Sequence, residues 1–445
     1  MTGKYVDHTP DVQRAVVVDP EVSAHASPKK TEAAIERKYD DSRLEEAVGL
    51  ALALDLEIVG TLSVRVRKFN AATLFGQGRV DDVRKLCEET EANLVVVNGA
   101  LTPIQQRNLE KEWGVKVIDR TGLILEIFGR RARTNEGKLQ VELARLEYEK
   151  SRLVRTWTHL ERQRATGTTG GPGETQIELD RRMIADKIKQ LKSELEEVRR
   201  TRTLHRAARK KVPYPVVALV GYTNAGKSTL FNHLTRAEVL AKDMLFATLD
   251  TTLRTLKLPN GRSAIISDTV GFISDLPHEL VAAFRATLEE VIEADLILHV
   301  RDMSNAEAEA QGQDVEQVLK VILPELDRTR MIEVWNKIDL IDEEMRDVLH
   351  TRAILHKGGT KPYMVSAITG EGIDALLQSI ARKVDEEGTE LDIVLKPSQG
   401  NLMAWVYQNG RVLDRFDHDD GRVQLHVKLS DQALGRYERM TAGEA

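Results

Sequence analysis

An apolar run, Val216 to Val220, leads straight into Gly221-Tyr222-Thr223-Asn224-Ala225-Gly226-Lys227-Ser228, and the helical Thr229-Leu230-Phe231 follows at once. Buried strand, glycine-bounded loop and helix N-terminus form a single unit whose context matches a phosphate-binding P-loop. The glycines let the backbone wrap closely around phosphates, while the N–H groups and the helix N-terminus face the anionic oxygens. Lys227 then reaches the β and γ phosphates, and the Ser228 hydroxyl is placed to ligate Mg²⁺. An incidental glycine turn with a stray lysine lacks this strand before it and helix after it. The unit therefore predicts an α/β fold of the Ras-like P-loop type.

Downstream, the strand Ala264 to Ser267 delivers Asp268-Thr269-Val270-Gly271. A carboxylate at such a strand end can hold Mg²⁺ through water, and the Gly271 N–H can contact a γ phosphate and lose that contact on hydrolysis. The tetrapeptide is weak alone and strong at this distance from a P-loop. Next, Asn336-Lys337-Ile338-Asp339 follows the apolar strand Met331 to Trp335. The Asp339 carboxylate can accept from both N1–H and the exocyclic amine of guanine, a pairing adenine does not offer. GTP is thus expected over ATP. Ser366-Ala367-Ile368, after the strand Pro362 to Val365, would set a backbone N–H near the guanine O6.

Between the P-loop and Asp268 a switch hydroxyl has to complete the Mg²⁺ shell, and Phe246-Ala247-Thr248-Leu249-Asp250-Thr251-Thr252 supplies three threonines. Spacing alone leaves the choice among them open. The residue after Gly271 is Phe272, where Ras-like enzymes carry a glutamine that orients the attacking water. A phenyl ring has no hydrogen-bonding group. Either Phe272 simply packs, or another group or a macromolecular partner positions the water, so unaided turnover is expected to be slow.

The rest of the 445-residue chain is too long for one core and divides into four expected domains. Residues 1–134 alternate short strands (Ala15 to Val18, Ile58 to Val66, Leu94 to Val97, Val115 to Ile118) with helices (Leu44 to Leu54, Val80 to Glu89, and one opened by Thr102-Pro103). They read as a small α/β domain with a flexible segment at 20–40. Residues 135–211 carry two heptad-like stripes, one through Leu139, Leu143 and Leu146, the other through Ile184, Ile188, Leu191 and Leu195. The glycine-rich stretch 167–173 lies between them. This describes an antiparallel helical hairpin whose first arm, at about 30 residues, spans roughly 45 Å. Pro213 and Pro215 open the GTPase domain, 213–388, and 389–445 reads as a small C-terminal α/β domain without legible chemistry.

Charge separates these parts. Residues 131–211 hold 21 Lys and Arg against 12 Asp and Glu, a net +9 inside a chain of net charge −6. Such an arm is either a solvated coiled coil or a phosphate-backbone contact that gains from counterion release. No apolar stretch approaches the roughly 20 residues of a bilayer span, and the first ten residues lack a secretory pattern, so a cytoplasmic monomer is expected. The single Cys87 has no cysteine to pair with and reads as a packing residue.

Several longer stretches resemble the HflX family of translation-related P-loop GTPases, which carry a hydrophobic residue in place of the catalytic glutamine. They are Gly171-Pro172-Gly173-Glu174-Thr175-Gln176-Ile177-Glu178-Leu179-Asp180-Arg181-Arg182, Gln105-Gln106-Arg107-Asn108-Leu109, Val117-Ile118-Asp119-Arg120-Thr121 and Glu136-Gly137-Lys138-Leu139-Gln140-Val141-Glu142-Leu143-Ala144. The run Phe246 to Asp250 matches as well. The departures are Thr168-Thr169-Gly170 before the first stretch and Arg79, where Lys is usual, in Gly76-Gln77-Gly78-Arg79. Carried over by position, the resemblance implies that Thr248 is the switch threonine on Mg²⁺ beside Ser228. It also implies a partner, the large (50S) ribosomal subunit and its rRNA, with the hairpin loop reaching toward the peptidyl-transferase region and stalled ribosomes split or rescued under stress. Two alternatives stand beside this reading. One is a GTP-gated, non-catalytic rRNA-binding or assembly module, and the other is a GTPase subunit of a tRNA-modifying enzyme.

Overall fold

Three separate β-sheets organise the chain. The computed structural model describes residues 13–22, 42–66, 69–164, 172–209, 214–236, 245–246, 248–249, 251–274, 290–323, 328–356, 361–386, 389–418, 420–429 and 431–442. The first sheet is parallel, in the order β2-β1-β3-β4, with β1 Arg14–Val22, β2 Glu57–Val66, β3 Leu94–Val97 and β4 Lys116–Asp119. Helices α1 (42–52), α2 (Gln77–Thr90), α3 (Pro103–Trp113) and α4 (Arg120–Arg131) follow these strands. Alternating side chains feed two cores: Val16, Val18, Val95 and Val97 on one face, Ala15, Val17 and Val96 on the other.

Thr102 caps α3 with a full capping box, and Pro103 occupies its first turn, as the sequence predicts. One expectation here needs correction. Strand β1 runs to Val22, so the flexible segment expected at 20–40 does not begin at Pro20; residues 23–40 lie outside those described. Pairing with β3 stops at Val18, and beyond that point β1 is an edge that tolerates a proline's missing N–H. Helix α4 was not anticipated. Asp119 caps it by accepting from the Gly122 N–H at 2.8 Å, and Leu123, Ile124, Ile127 and Phe128 are buried beneath it.

Helices α5 (Asn135–Arg164) and α6 (Pro172–Arg209) pack along the predicted stripes, Leu139, Leu143 and Leu146 against Ile184, Ile188, Leu191 and Leu195. The turn expected at 167–173 is corrected at its end: Pro172 and Gly173 already belong to α6, since proline's fixed φ and missing N–H suit a first helical turn. Residues 167–171 lie outside those described.

The second sheet has the order β10-β9-β8-β5-β7-β6 and is parallel except for β6 (Thr252–Lys257). Its central strand β5 (Val216–Gly221) lies between β7 (Ser263–Asp268) and β8 (Leu296–Asp302), with β9 Met331–Asn336 and the short β10 Tyr363–Met364 outward. Helices α7 (Lys227–Thr235), α8 (Ala308–Ile322), α9 (Glu343–Ile354) and α10 (Ile373–Glu386) belong to this unit. A third, antiparallel sheet, β11 (Thr389–Leu395), β13 (Val423–Leu429) and β12 (Gly410–Asp417), carries α11 (Gly400–Asn409) and α12 (Asp431–Ala442). The chain is thus a multidomain α/β protein.

One hydrophobic core crosses between the first two sheets. Leu50 of α1, Phe128 of α4 and Val141 of α5 belong to the same buried cluster as Val220, Phe246, Leu249 and Phe272. Cys87 is buried in α2, where burial pushes its thiol up to about 11 and keeps it an inert packing group. No helix among the described residues is long and apolar enough to cross a membrane.

Candidate functional site: a nucleotide and magnesium pocket

Strand β5 ends at Gly221, and the chain turns through Tyr222 to Gly226 into α7. Gly226 has φ of 88°, and any Cβ there would overlap the Asn336 side-chain amide. Lys227 is buried and donates to the carbonyls of Gly221 at 3.0 Å and Tyr222 at 2.7 Å. Burial lowers its pKa to about 8, and the Asp268 carboxylate opposes that shift. A cation held in so little solvent is poised to pair with phosphate.

Three hard oxygen groups converge beside it. The hydroxyls of Ser228 and Thr248 lie 2.8 Å apart, and both donate to Asp268 Oδ2, at 2.7 and 2.9 Å. Asp268 Oδ1 is buried without a partner, and burial pushes this carboxyl up from its ordinary value against the pull of Ser228, Lys227 and Thr248. Two hydroxyls and a carboxylate with an unclaimed acceptor fit Mg²⁺, which binds through oxygen. Thr251 Oγ1 is buried without a partner, and Thr252 begins β6; neither is placed with Ser228. Ala247 and Asp250 lie outside the described residues.

Phe246 and Leu249 are buried side chains, and Phe246, at φ 54°, meets Phe128 edge-to-face with ring centroids 4.6 Å apart. Only their backbone is left to face a nucleotide. Thr269 is buried, its hydroxyl bonded to the Leu219 carbonyl; Val270 is buried too. Phe272 is in the core, and its backbone pairs on both sides, N–H to the Gly221 carbonyl at 3.1 Å and carbonyl from the Thr223 N–H at 2.6 Å. Its ring packs. Gly271 is pressed so close that a Cβ would lie 2.9 Å from Thr223 and 3.1 Å from Lys227 Nζ.

At the end of β9, Asn336 is a strut: its amide nitrogen donates to the Ala225 carbonyl at 2.9 Å, and its oxygen accepts from the Ala367 N–H at 3.0 Å. Lys337, at φ 64°, pairs with Asp302 at 2.7 Å, and Ile338 is buried. Asp339 Oδ1 is buried and unpartnered, an acceptor kept for a donor that the protein does not supply. Ser366 is buried and caps its own turn by accepting from the Thr369 N–H at 3.1 Å, while Ile368 is exposed. The P-loop, Thr248, the Asp268 strand end and the Asn336 to Asp339 loop therefore meet at the carboxyl edge of one sheet.

Four residues around this pocket escaped the sequence reading: Glu46, Arg120, Ser274 and Asp314. The carboxylate of Glu46 accepts from the Tyr222 hydroxyl, and the hydroxyl of Ser274 donates to Asp314 at 2.6 Å. Arg120 lay within a noted motif, but no local spacing ties it to Ser274, 154 residues away.

Comparison with known proteins places the chain among GTP-binding relatives. Residues 41–129 match a family model described as GTP-binding GTPase N-terminal, 131–209 the GTP-binding GTPase middle region, 216–337 a 50S ribosome-binding GTPase, and 353–444 the HflX C-terminal domain. GTPase HflX of Magnetococcus marinus is 50% identical over 412 residues, covering 92% of each chain. GTPase HflX of Escherichia coli is 42% identical over 395 residues, 88% of this chain and 90% of that one. A solved GTP-binding protein from Sulfolobus solfataricus in complex with GDP is 23% identical, with a TM-score of 0.45 over 83% of this chain and 98% of that one. With the pocket's parts in place and relatives matched over nearly their whole length, this chain belongs to the HflX family and is a GTPase.

Proposed function

We propose that this GTPase acts on the large (50S) ribosomal subunit and its rRNA, splitting or rescuing stalled ribosomes under stress, and that the ribosome stimulates its hydrolysis of GTP. The observation that carries the reading is Phe272. Its ring is locked in the core, so the position next to Gly271 offers no polar group to orient water, and that group has to come from elsewhere. A hairpin region of net charge +9 in an otherwise acidic chain fits an RNA partner, as does the match of residues 216–337 to a family of 50S ribosome-binding GTPases.

In this reading Lys227 neutralises the β and γ phosphates, and the Gly271 N–H contacts the γ phosphate. Gly221 to Ser228 and Phe246 to Asp250 surround the phosphates, with Asp268 to Gly271 beside them, while Asn336 to Asp339 and Ser366 to Ile368 frame the base. Ser228 and Thr248 would hold Mg²⁺, which when bound supplies charge neutralisation across the β and γ oxygens. Thr248 is favoured over Thr251 and Thr252 because its hydroxyl is the one beside Ser228. The chain works as a cytoplasmic monomer divided near residues 135, 213 and 389.

The test is GTP hydrolysis with and without purified large subunits. A stimulation of tenfold or more, about 1.4 kcal/mol off the barrier, is expected. An unchanged rate refutes the proposal. The buried Phe272 also keeps a second reading in play, a GTP-gated module whose turnover is incidental. Single-turnover cleavage of bound GTP on ribosomes separates the two, because a gate binds in the GTP state yet leaves the nucleotide intact.

A further inference from the structure

The carboxyl edge of an open parallel sheet is where α/β folds usually take a ligand. In the first sheet that edge is occupied from within. Asp19 of β1, one residue past its last pairing with β3, Asn98 just after β3 and Arg120 just after β4 form a buried chain: Asn98 Nδ2 donates to Asp19 Oδ1 at 2.7 Å, and Arg120 Nη1 donates to Asn98 Oδ1 at 2.6 Å. The other end of the Arg120 fork leaves the sheet. Nη2 donates to Glu46 Oε1 at 2.6 Å and to the backbone carbonyl of Ser274 at 3.0 Å. Ser274 lies three residues past Gly271.

A second path closes the loop. The Glu46 carboxylate accepts from the Tyr222 hydroxyl, whose oxygen accepts from the Ser274 N–H at 2.9 Å. Burial and the Glu46 carboxylate both push the Tyr222 pKa up, so the phenol keeps the proton that it donates. Ser274 is thereby held at its carbonyl by Arg120, at its N–H by Tyr222 and at its hydroxyl by Asp314.

We infer that Arg120 and Glu46, acting through Tyr222, are positioning residues for GTP hydrolysis: the N-terminal sheet fixes the far end of the Gly271–Ser274 switch segment. Phe272 pins that segment to the P-loop at one end only. Without the Ser274 anchor, Gly271 would swing about the Phe272 pairing and lose its alignment on the γ phosphate, although the side-chain bonds of the clamp all run between protein groups. Catalysis by a site of fixed dipoles depends on that alignment.

The test uses the full chain without ribosomes, which keeps it independent of the proposed partner. Arg120→Gln, Glu46→Gln and Tyr222→Phe are compared with wild type for single-turnover GTP hydrolysis, labelled-GDP affinity and thermal unfolding. Each is expected to slow hydrolysis about tenfold with GDP affinity held within about twofold, the split expected when only transition-state alignment is lost. Arg120→Gln combined with Tyr222→Phe should be no slower than either alone, since both release the same segment. Should Arg120→Gln fail to fold, Tyr222→Phe, which deletes one oxygen, decides the matter. Unchanged or faster hydrolysis overturns the inference, as do rates and GDP affinity falling together with the melting temperature, which would mark a merely structural contact.

Discussion

The buried ammonium of Lys227 makes this protein less stable than it would be without that cation. With the pKa lowered from 10.5 to about 8, keeping the charge inside the folded, nucleotide-free chain at pH 7 costs about 3 kcal/mol. Removing it in Lys227→Met forfeits two hydrogen bonds, but neither carbonyl is orphaned. Gly221 O still accepts from the Phe272 N–H at 3.1 Å, and Tyr222 O from the Ala225 N–H at 3.3 Å. That loss is about 1 kcal/mol, leaving a net stabilisation of about 2 kcal/mol. The sign with pH follows from the lowered value. The penalty is fully present below pH 8 and fades as pH rises through 10.5, above which folded and unfolded lysine are both neutral. Denaturant unfolding of nucleotide-free protein in a chelator, followed through the transition that reports buried Trp335, should show the variant ahead at pH 7 and the gap closing by pH 10. Saturating GDP should reverse the order, since only wild type gains the stabilisation of bound ligand, about 4 kcal/mol at a thousandfold excess over Kd. A Lys227→Met protein less stable than wild type without nucleotide at pH 7 would refute the reasoning.

Three further outcomes follow from the same contacts. Asp339→Asn should erase most of the preference for GTP over ATP, about 1–3 kcal/mol, because an amide presents a donor to guanine's N1–H; competition binding with the two nucleotides checks it. Phe128→Ala should cost about 3–5 kcal/mol by opening a cavity beneath Phe246, seen as a drop in the first thermal transition. Reversing three hairpin charges, Arg181, Arg182 and Lys189 to Glu, should weaken sedimentation with ribosomal subunits and flatten its dependence on salt, while leaving GDP affinity unchanged.

What could be read from sequence was what is local. Gly221 to Ser228, Asp268 to Gly271 and Asn336 to Asp339 each carry their chemistry within a few residues of a strand end, so strand, turn and side chain are specified together. The hairpin stripes were equally legible because Leu143 and Leu191 need only helical period to face inward. Three things were not. The apolar residues of α4 follow β4 without a separating turn, so the periodicity change at Asp119 marks the helix only to a reader who takes that residue as its cap. The role of Phe272 was undecided until its ring was found in the core. The Arg120 clamp joins residues 46, 120, 222 and 274, and nothing short of the folded chain brings such separations together.

Phe246 and Leu249 lie on either side of Thr248, and both are buried in the core that contains Phe128 of α4. If Thr248 leaves Ser228 and Asp268 when the γ phosphate is lost, its neighbours either stay, stretching the short backbone between them, or withdraw and expose roughly two large side chains, at about 1.5–3 kcal/mol each. The N-terminal sheet therefore adds an energetic cost to the release of this segment, and through Arg120 it grips the other switch segment at Ser274 as well. A ligand that pulled on this sheet would bias both segments at once, so the pose of the N-terminal domain and the nucleotide state are thermodynamically linked and each changes the other's equilibrium by the same factor.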